Sequence, residues 1–127
     1  MRYSRTWSTA PPAPKGSSVR HRFGGPDVLT LTETDLPEPT PHDVRVNVKA
    51  SGVNPLDNKI RHGDLASVLP AEFPIVPGLD AAGVIDATGE AVTGFAVGDE
   101  VFGLTPGGSY AQDVLMPVPV AKPAPLP

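Results

Sequence analysis

Three polar residues that can donate hydrogen bonds or carry charge lie within a six-residue segment, at Asn54, Asp57 and Lys59. An amide and an amine can stabilise negative charge that develops on a reacting oxygen. Asn54 precedes Pro55, and Gly63 follows; asparagine caps free helix amides, proline suits the first helical position and glycine ends helices. The segment therefore predicts a helix of about two turns, with Asn54 at its start.

Each of these side chains also has a purely structural interpretation. Asn54 could serve only as the helix cap, and Asp57 could be a carboxylate that faces the positive end of the helix dipole. Lys59 could be a solvated lysine. Because Asp57 and Lys59 lie two residues apart, they point in different directions from the helix. The residues alone leave these interpretations open.

Short strand patterns surround the predicted helix. Val44, Val46 and Val48 alternate with polar residues, which predicts a half-buried strand. The small residues of 81–87 would let another backbone approach closely. The 13 glycines and 17 prolines mark turns between strands. Further strands are predicted near Val19 and at 28–34, 81–87, 97–103 and 110–118. The chain therefore predicts a mainly β, partly open barrel with one or two short helices.

Charge and proline content divide the chain into a tail and one domain. Residues 1–22 contain five basic and no acidic residues, whereas the rest contains five basic and all fourteen acidic residues. We predict a disordered, basic, proline-rich tail at 1–16, a folded domain at 17–122 and the start of a linker at 123–127. A targeting peptide is an alternative interpretation of the tail. The acidic body argues against nucleic-acid binding.

Several classes of site and location are disfavoured by composition. The chain contains no cysteine, which excludes disulfides and thiolate metal sites. His21, His42 and His62 lack the spacing of metal ligands. No apolar run approaches the roughly 20 residues needed to span a bilayer, and no secretory signal with an apolar core is present. We predict a cytoplasmic protein with no metal and no membrane contact.

Six short motifs, in order, resemble one known family. From about Ser17 to Pro127 the chain is similar to the N-terminal GroES-like domain of the quinone oxidoreductase group, within the medium-chain dehydrogenases/reductases. No single motif is specific, but the six together cover nearly all of the predicted domain. They lie at 23–29, 50–57, 60–63, 77–84, 98–103 and 107–111.

The resemblance implies a fold and a reaction. It implies a GroES-like, partly open β-barrel and an enzyme in which NADPH donates hydride to a quinone or an enone. The zinc-dependent relatives carry Cys at the position of Asn54 and His at that of Leu79, so a zinc-free enzyme is expected here. The chain has no Gly-x-Gly-x-x-Gly motif after a strand, so a Rossmann domain is absent from it. We therefore expect the isolated chain to be inactive and to bind NADPH weakly, if at all.

The resemblance also assigns site residues. Asn54 is expected to line the cofactor cleft near the nicotinamide, and Lys59 to face the cofactor or the acceptor oxygen. Tyr110 would either line the same cleft or fill the barrel. Asp57 and Arg61 are expected at the acceptor pocket, which the 64–76 loop would shape.

Three further positions bear on this assignment. Asp80 replaces an acidic residue of the zinc-type signature and is expected to be structural. Where relatives have Glu followed by an aromatic residue, this chain has Gln112 and Asp113, so packing of the last strand can differ.

The partners implied are a small quinone or enone and a missing or separately encoded cofactor-binding domain. An unpaired barrel edge could also support a homo-oligomer. The alternative function is a GroES-like scaffold or co-chaperonin module without catalysis. A co-chaperonin needs a mobile, glycine-rich loop, whereas residues 64–77 are rich in proline.

Overall fold

The computed structural model describes residues 15–69 and 72–124. These residues form six strands, one α-helix and one 3-10 turn. The short 3-10 turn covers Pro26–Val28. The helix α1 covers Pro55–His62. The strands are β1 (Lys15–Val19), β2 (Thr30–Thr34), β3 (Asp43–Ala50), β4 (Asp80–Thr88), β5 (Glu100–Leu104) and β6 (Asp113–Pro117).

The strands form two antiparallel sheets that do not close on each other. One sheet pairs β1 with β2, and the other has the order β5-β4-β3-β6. The bridge between Ser17 and Ala111 joins the first sheet to the segment before β6. A second bridge pairs Arg20 with Ile75, and a third pairs Phe102 with Ala121. The predicted mainly β, partly open architecture is confirmed.

The core lies on one face of the four-stranded sheet. Val44 and Val46 of β3 are fully buried, as their alternation predicted. Arg45, which lies between them, is also buried and forms an ion pair of 2.7 Å with Asp86. The other core residues come from the neighbouring strands and are Ala81, Ile85, Val101, Val114 and Met116.

Some strand boundaries differ from the predicted ones. Val28 lies in the 3-10 turn, where Pro26 fixes the backbone and accepts the Leu29 N–H, so β2 begins at Thr30. The strand predicted at 97–103 begins only at Glu100, because Asp99 closes a turn with Ala96. The strand predicted at 110–118 begins at Asp113, because the Tyr110 N–H bonds to Pro77 instead.

The predicted tail and linker fall mainly on residues outside the described ones. Residues 1–14 and 125–127 are not described, whereas Lys15 and Gly16, assigned to the tail from the sequence, belong to β1. Over the described ranges, no helix is long and apolar enough to cross a membrane.

Gly83 permits the close approach of β3 and β4, as the small residues of this strand predicted. A Cβ atom at Gly83 would lie 2.1 Å from the Asn47 carbonyl oxygen. We therefore expect Gly83→Ala to lower the free energy of unfolding by about 1–3 kcal/mol through overpacking. Urea denaturation measures this loss. Gly103→Ala is the matched control, since its nearest contact would be an ordinary 3.5 Å to Met116. Equal stability of the two variants would contradict the prediction.

Candidate active site at the start of helix α1

Asp80, the first residue of β4, fixes the segment that leads into α1. Its Oδ1 accepts the Gly52 N–H at 2.5 Å, and its Oδ2 accepts the Asn54 side-chain amide at 2.7 Å. The Ser51 hydroxyl donates to the Asp80 backbone carbonyl at 3.0 Å. A Cβ atom at Gly52 would lie 2.8 Å from both carboxylate oxygens, so a side chain there would displace Asp80. The structural role expected for Asp80 is thus explained by these bonds.

The helix start is closed by Asp57. The Asn54 backbone N–H donates to Asp57 Oδ2 at 2.8 Å. Asp57 is the only buried residue of α1, with 4% of its surface exposed. These contacts support its interpretation as a helix-start carboxylate. A role for Asp57 in the acceptor pocket stays a prediction.

Tyr110 lies near the carboxylates of Asp57 and Asp80. Its hydroxyl and Asp57 Oδ1 are both buried, and neither forms a hydrogen bond of good geometry among the described residues. The two groups are nevertheless near enough to influence each other. Burial first, then the Asp57 carboxylate and the charge of Asp80, raise the pKa of Tyr110 above its usual 10, while nearby Arg61 opposes the shift. The Tyr110 hydroxyl therefore retains its proton to a higher pH than a free tyrosine does.

The loop that carries Tyr110 is held against the 77–80 segment. The Tyr110 N–H donates to the Pro77 carbonyl at 3.0 Å, and the Ser109 and Ser51 hydroxyls lie 2.8 Å apart. Gly78 adopts a φ of +105°, and a Cβ atom there would lie 2.1 Å from Ser109 Oγ. Three motifs that are separate in the sequence, at 51–57, 77–80 and 109–110, therefore meet at one place.

The other end of α1 is held by Arg20, which the sequence analysis did not identify. Arg20 is 1% exposed, and its Nη1 donates to the carbonyls of Ile60 at 3.0 Å and Arg61 at 3.2 Å. Its guanidinium lies 5.3 Å from the Phe23 ring centroid and 5.4 Å from that of Phe73. A cation at the carboxyl end of a helix also interacts favourably with the helix dipole.

No local pattern distinguishes Arg20 from the exposed Arg22. Its partners come from 60–61 and from Phe73, far along the chain, so the sequence offered no signal for its burial. Burial, and then the charge of Arg61, lower the pKa of Arg20.

Arg61 and Lys59 occupy different environments. Arg61 is half-buried, and it donates through Nε to the Gly24 carbonyl at 3.2 Å and through Nη1 to Asn58 at 3.1 Å. The Lys59 side chain is exposed. The structure thus brings Asn54, Asp57 and Tyr110 together with Arg61 near them. Lys59 lies on the solvent-exposed side of the helix.

The two positions that carry metal ligands in zinc-type relatives have a different chemistry here. The Asn54 amide nitrogen donates to Asp80, and Leu79 is apolar. Within residues 15–69 and 72–124, no cluster of three or more His, Cys, Asp or Glu side chains could hold a metal ion. His62 instead pairs with Asp64 at 2.7 Å on the surface.

The raised pKa of Tyr110 makes stability depend on pH in the alkaline range. The unfolded chain releases this proton near pH 10, whereas the folded chain retains it to higher pH. Because the folded state then binds more protons, the free energy of unfolding falls as pH rises above 10. Phenolate absorbance should place one tyrosine above pH 10, and Tyr110→Phe should remove that transition. Identical titration curves for the two proteins would contradict the assignment.

The carboxylates near Tyr110 provide a second measurement. Asp57→Asn should move the pKa of Tyr110 down toward 10, and by more than Asp80→Asn does, because Asp57 contributes more to the shift. The phenolate titration of each variant checks this order. A larger effect of Asp80→Asn would overturn it.

Arg20→Met tests the anchor at the carboxyl end of α1. Methionine keeps an apolar chain of similar length but leaves carbonyl groups at the helix end without their charged donor. We expect a loss of about 2–3 kcal/mol in the free energy of unfolding and faster amide hydrogen exchange across α1. The control is Arg22→Met, whose side chain is 67% exposed. A similar change in both variants would show that burial of Arg20 is not important.

Comparison with known proteins places these features in a family. The alcohol dehydrogenase GroES-like domain family matches residues 40–125. Quinone oxidoreductase of Lama guanicoe is 45% identical over 95 residues, which cover 73% of this chain and 28% of the relative. The synaptic vesicle membrane protein VAT-1 homolog-like of Mus musculus is 34% identical over 96 residues, which cover 76% of this chain and 22% of the relative.

Solved structures give the same result. The human VAT-1 homolog-like protein superposes with a TM-score of 0.82 and 32% identity, over 87% of this chain and 35% of that one. Escherichia coli quinone oxidoreductase, complexed with NADPH, gives a TM-score of 0.77 and 28% identity, over 84% of this chain and 32% of that one. The chain spans about a third or less of each of these relatives. It belongs to the alcohol dehydrogenase GroES-like domain family, as the N-terminal domain of the quinone oxidoreductase group of medium-chain dehydrogenases/reductases.

Proposed function

We propose that this chain is the substrate-side domain of an NADP-dependent, zinc-independent oxidoreductase that reduces a quinone or an enone by hydride transfer. The observation that carries the proposal is the fixed amide of Asn54, held by Asp80 at the start of α1. One N–H of this amide donates to Asp80, which fixes the direction of the second N–H. A donor already oriented before the substrate binds can stabilise developing charge without reorganisation.

The chemistry of the donor set supports independence from zinc. A catalytic zinc ion takes three protein ligands of nitrogen, sulfur or oxygen type. Here the two ligand positions hold the uncharged amide of Asn54 and the apolar side chain of Leu79, which supply neither a thiolate nor an imidazole, and both Asp80 carboxylate oxygens accept hydrogen bonds. The charge on the acceptor oxygen is then stabilised by hydrogen-bond donors and positive groups of the protein.

Exposed apolar side chains at the start of α1 support the proposal that the acceptor is an uncharged organic molecule. Val53, which directly precedes Asn54, is 69% exposed, and Leu56, two residues after Asn54, is 44% exposed. Leu56 and Lys59 lie three residues apart and so share a face of the helix. This arrangement offers apolar surface for a ring and an amine for its oxygen. In the 64–76 loop, Val68 and Leu69 are also exposed and would add to the acceptor pocket.

The cofactor proposed is NADPH, which supplies the hydride when bound. Asn54 and Tyr110 are the residues of this chain that would line its nicotinamide end. The fit rests on the buried Tyr110 hydroxyl, which interacts with Asp57 but forms no hydrogen bond of good geometry among the described residues, and on the oriented Asn54 amide. The intact enzyme is proposed to combine this chain with a cofactor-binding domain, to act in the cytoplasm and to use no metal.

Calorimetric titration of NADPH into the 127-residue chain tests whether cofactor binding requires the separate cofactor-binding domain. We expect no binding below millimolar cofactor, and no stoichiometric metal by elemental analysis of the same sample. Micromolar affinity, a free energy of roughly −8 kcal/mol, would mean that this chain holds the cofactor by itself. Stoichiometric zinc would overturn the metal-independent mechanism.

The role of Asn54 can be tested in a reconstituted enzyme. Residues 17–122 would replace the corresponding domain of Escherichia coli quinone oxidoreductase, and NADPH oxidation would be followed with a quinone. Asn54→Ala should lower kcat roughly 100-fold through loss of an oriented donor. The matched control is Asn58→Ala, an exposed asparagine on the same helix. If the chimera that retains Asn54 is active and Asn54→Ala leaves its rate unchanged, Asn54 has no role in the mechanism.

A further inference from the structure

The outer edge of β2 has no partner strand within the described part of the chain. Among residues 15–69 and 72–124, β2 pairs only with β1. Four of its five residues are exposed, and Leu31 is 82% exposed. An unpaired edge presents backbone donors and acceptors that can bind another strand. The hydrogen bonds of β1 indicate which backbone groups those are.

Alternate residues of β1 face away from β2. The Ser18 N–H donates to the Tyr110 carbonyl at 2.8 Å, and the Gly16 carbonyl accepts the Gln112 N–H at 3.0 Å. Because the N–H and C=O of one strand residue point to the same side, Ser17 and Val19 are the residues that bond to β2.

The pairing register of β1 and β2 shows which residues of β2 have backbone groups that point toward β1. Ser17 pairs with Thr32, and Val19 pairs with Thr30. The backbone groups of Thr30 and Thr32 therefore point toward β1. Those of Leu31 and Glu33 point outward, where no hydrogen bond within the described residues engages them.

We propose that β2 pairs with β2 of a second copy of this chain, in an antiparallel arrangement with Thr32 opposite its own counterpart. In this register Leu31 faces Glu33 of the second copy. The outward N–H and C=O groups of both residues then form four backbone hydrogen bonds related by the two-fold axis. The two-stranded sheet of each copy would become half of a four-stranded sheet.

Other registers of the same pairing are less favourable. A shift by one residue would place Leu31 and Glu33 opposite residues such as Thr32 of the second copy. The backbone N–H and C=O of Thr32 are already bonded to β1. A shift by two residues in one direction places Glu33 opposite its counterpart, and like charges directly opposite are destabilising. The shift in the other direction pairs Glu33 with Leu29, whose N–H is already donated to Pro26 at 3.2 Å. The edge is therefore self-complementary in one register.

The composition of β2 also favours a second copy as the occupant. Thr32 would face Thr32, and Thr30 would face Thr34, and threonine pairs across antiparallel strands are stabilising. The strand contains none of the lysine or proline residues that commonly block an edge. The interface is small, so the association is expected to be weak and dependent on concentration.

Single-cysteine variants test the register, because the chain has no cysteine of its own. Thr32→Cys should form a disulfide-linked dimer under mild oxidation, since non-hydrogen-bonded partners have closely spaced Cα atoms. Thr30→Cys is the matched control. Its two copies would lie about 13 Å apart along the strands, too far to be bridged. We expect roughly 10-fold faster cross-linking of Thr32→Cys, through the local concentration that pairing creates.

A mixture of the Thr30→Cys and Thr34→Cys proteins gives an independent check of the register. These two positions face each other, so the mixed disulfide should form in preference to either homodimer. Equal cross-linking of all three variants, or preferential cross-linking of Leu31→Cys, would overturn the proposed register.

Sedimentation of the unmodified chain tests the association itself. We expect a monomer–dimer equilibrium that shifts toward dimer as the concentration rises to about 1 mM. Leu31→Pro should abolish the dimer and leave the circular dichroism spectrum unchanged, because it removes an N–H that points away from β1. Should Leu31→Pro disturb the fold, Leu31→Lys at the same edge serves instead. A monomer at all concentrations, or a dimer that survives both substitutions, would overturn the proposal.

Discussion

The position of one short helix depends on charged groups at both of its ends. An isolated helix of eight residues is not stable in water, and α1 buries only Asp57 from its own surface. The Asp80 carboxylate holds the segment before the helix, and the Arg20 guanidinium holds its last carbonyls. Since apolar packing contributes so little, these polar contacts decide where Asn54 lies and in which direction its amide points.

Because polar contacts position the helix, the side chains at its start are polar and their geometry is constrained. A carboxylate that accepts two hydrogen bonds leaves little freedom to the groups that donate them. Asp80 therefore orients the Asn54 amide, and Asp57 completes the helix start beneath it. Burial, and then the same carboxylates, raise the pKa of Tyr110. One set of contacts thus fixes the geometry and the electrostatics of the proposed cofactor side.

The features that depend on neighbouring residues were predictable from the sequence. Asn54, Pro55 and Gly63 predicted the helix, and the valine alternation of β3 predicted the core strand. The burial of Arg20 was not predictable, since its partners are assembled from distant segments. The family resemblance predicted Asn54 at the cofactor cleft and left Tyr110 either there or inside the barrel. The bonds of Asp80 that orient Asn54 join residues far apart in the chain and were not predictable. Site chemistry in this fold is a matter of long-range contacts.

Strand β1 connects the candidate active site with the free edge of β2. Through one edge, Ser18 bonds to the carbonyl of Tyr110 and Arg20 continues the strand toward Ile75 and the end of α1. Through the other edge, Ser17 and Val19 bond to β2. Any partner that orders β2 would therefore also restrict the strand from which Arg20 reaches α1. Strand β1 therefore contacts both the edge proposed for association and, through Arg20, the helix that carries Asn54.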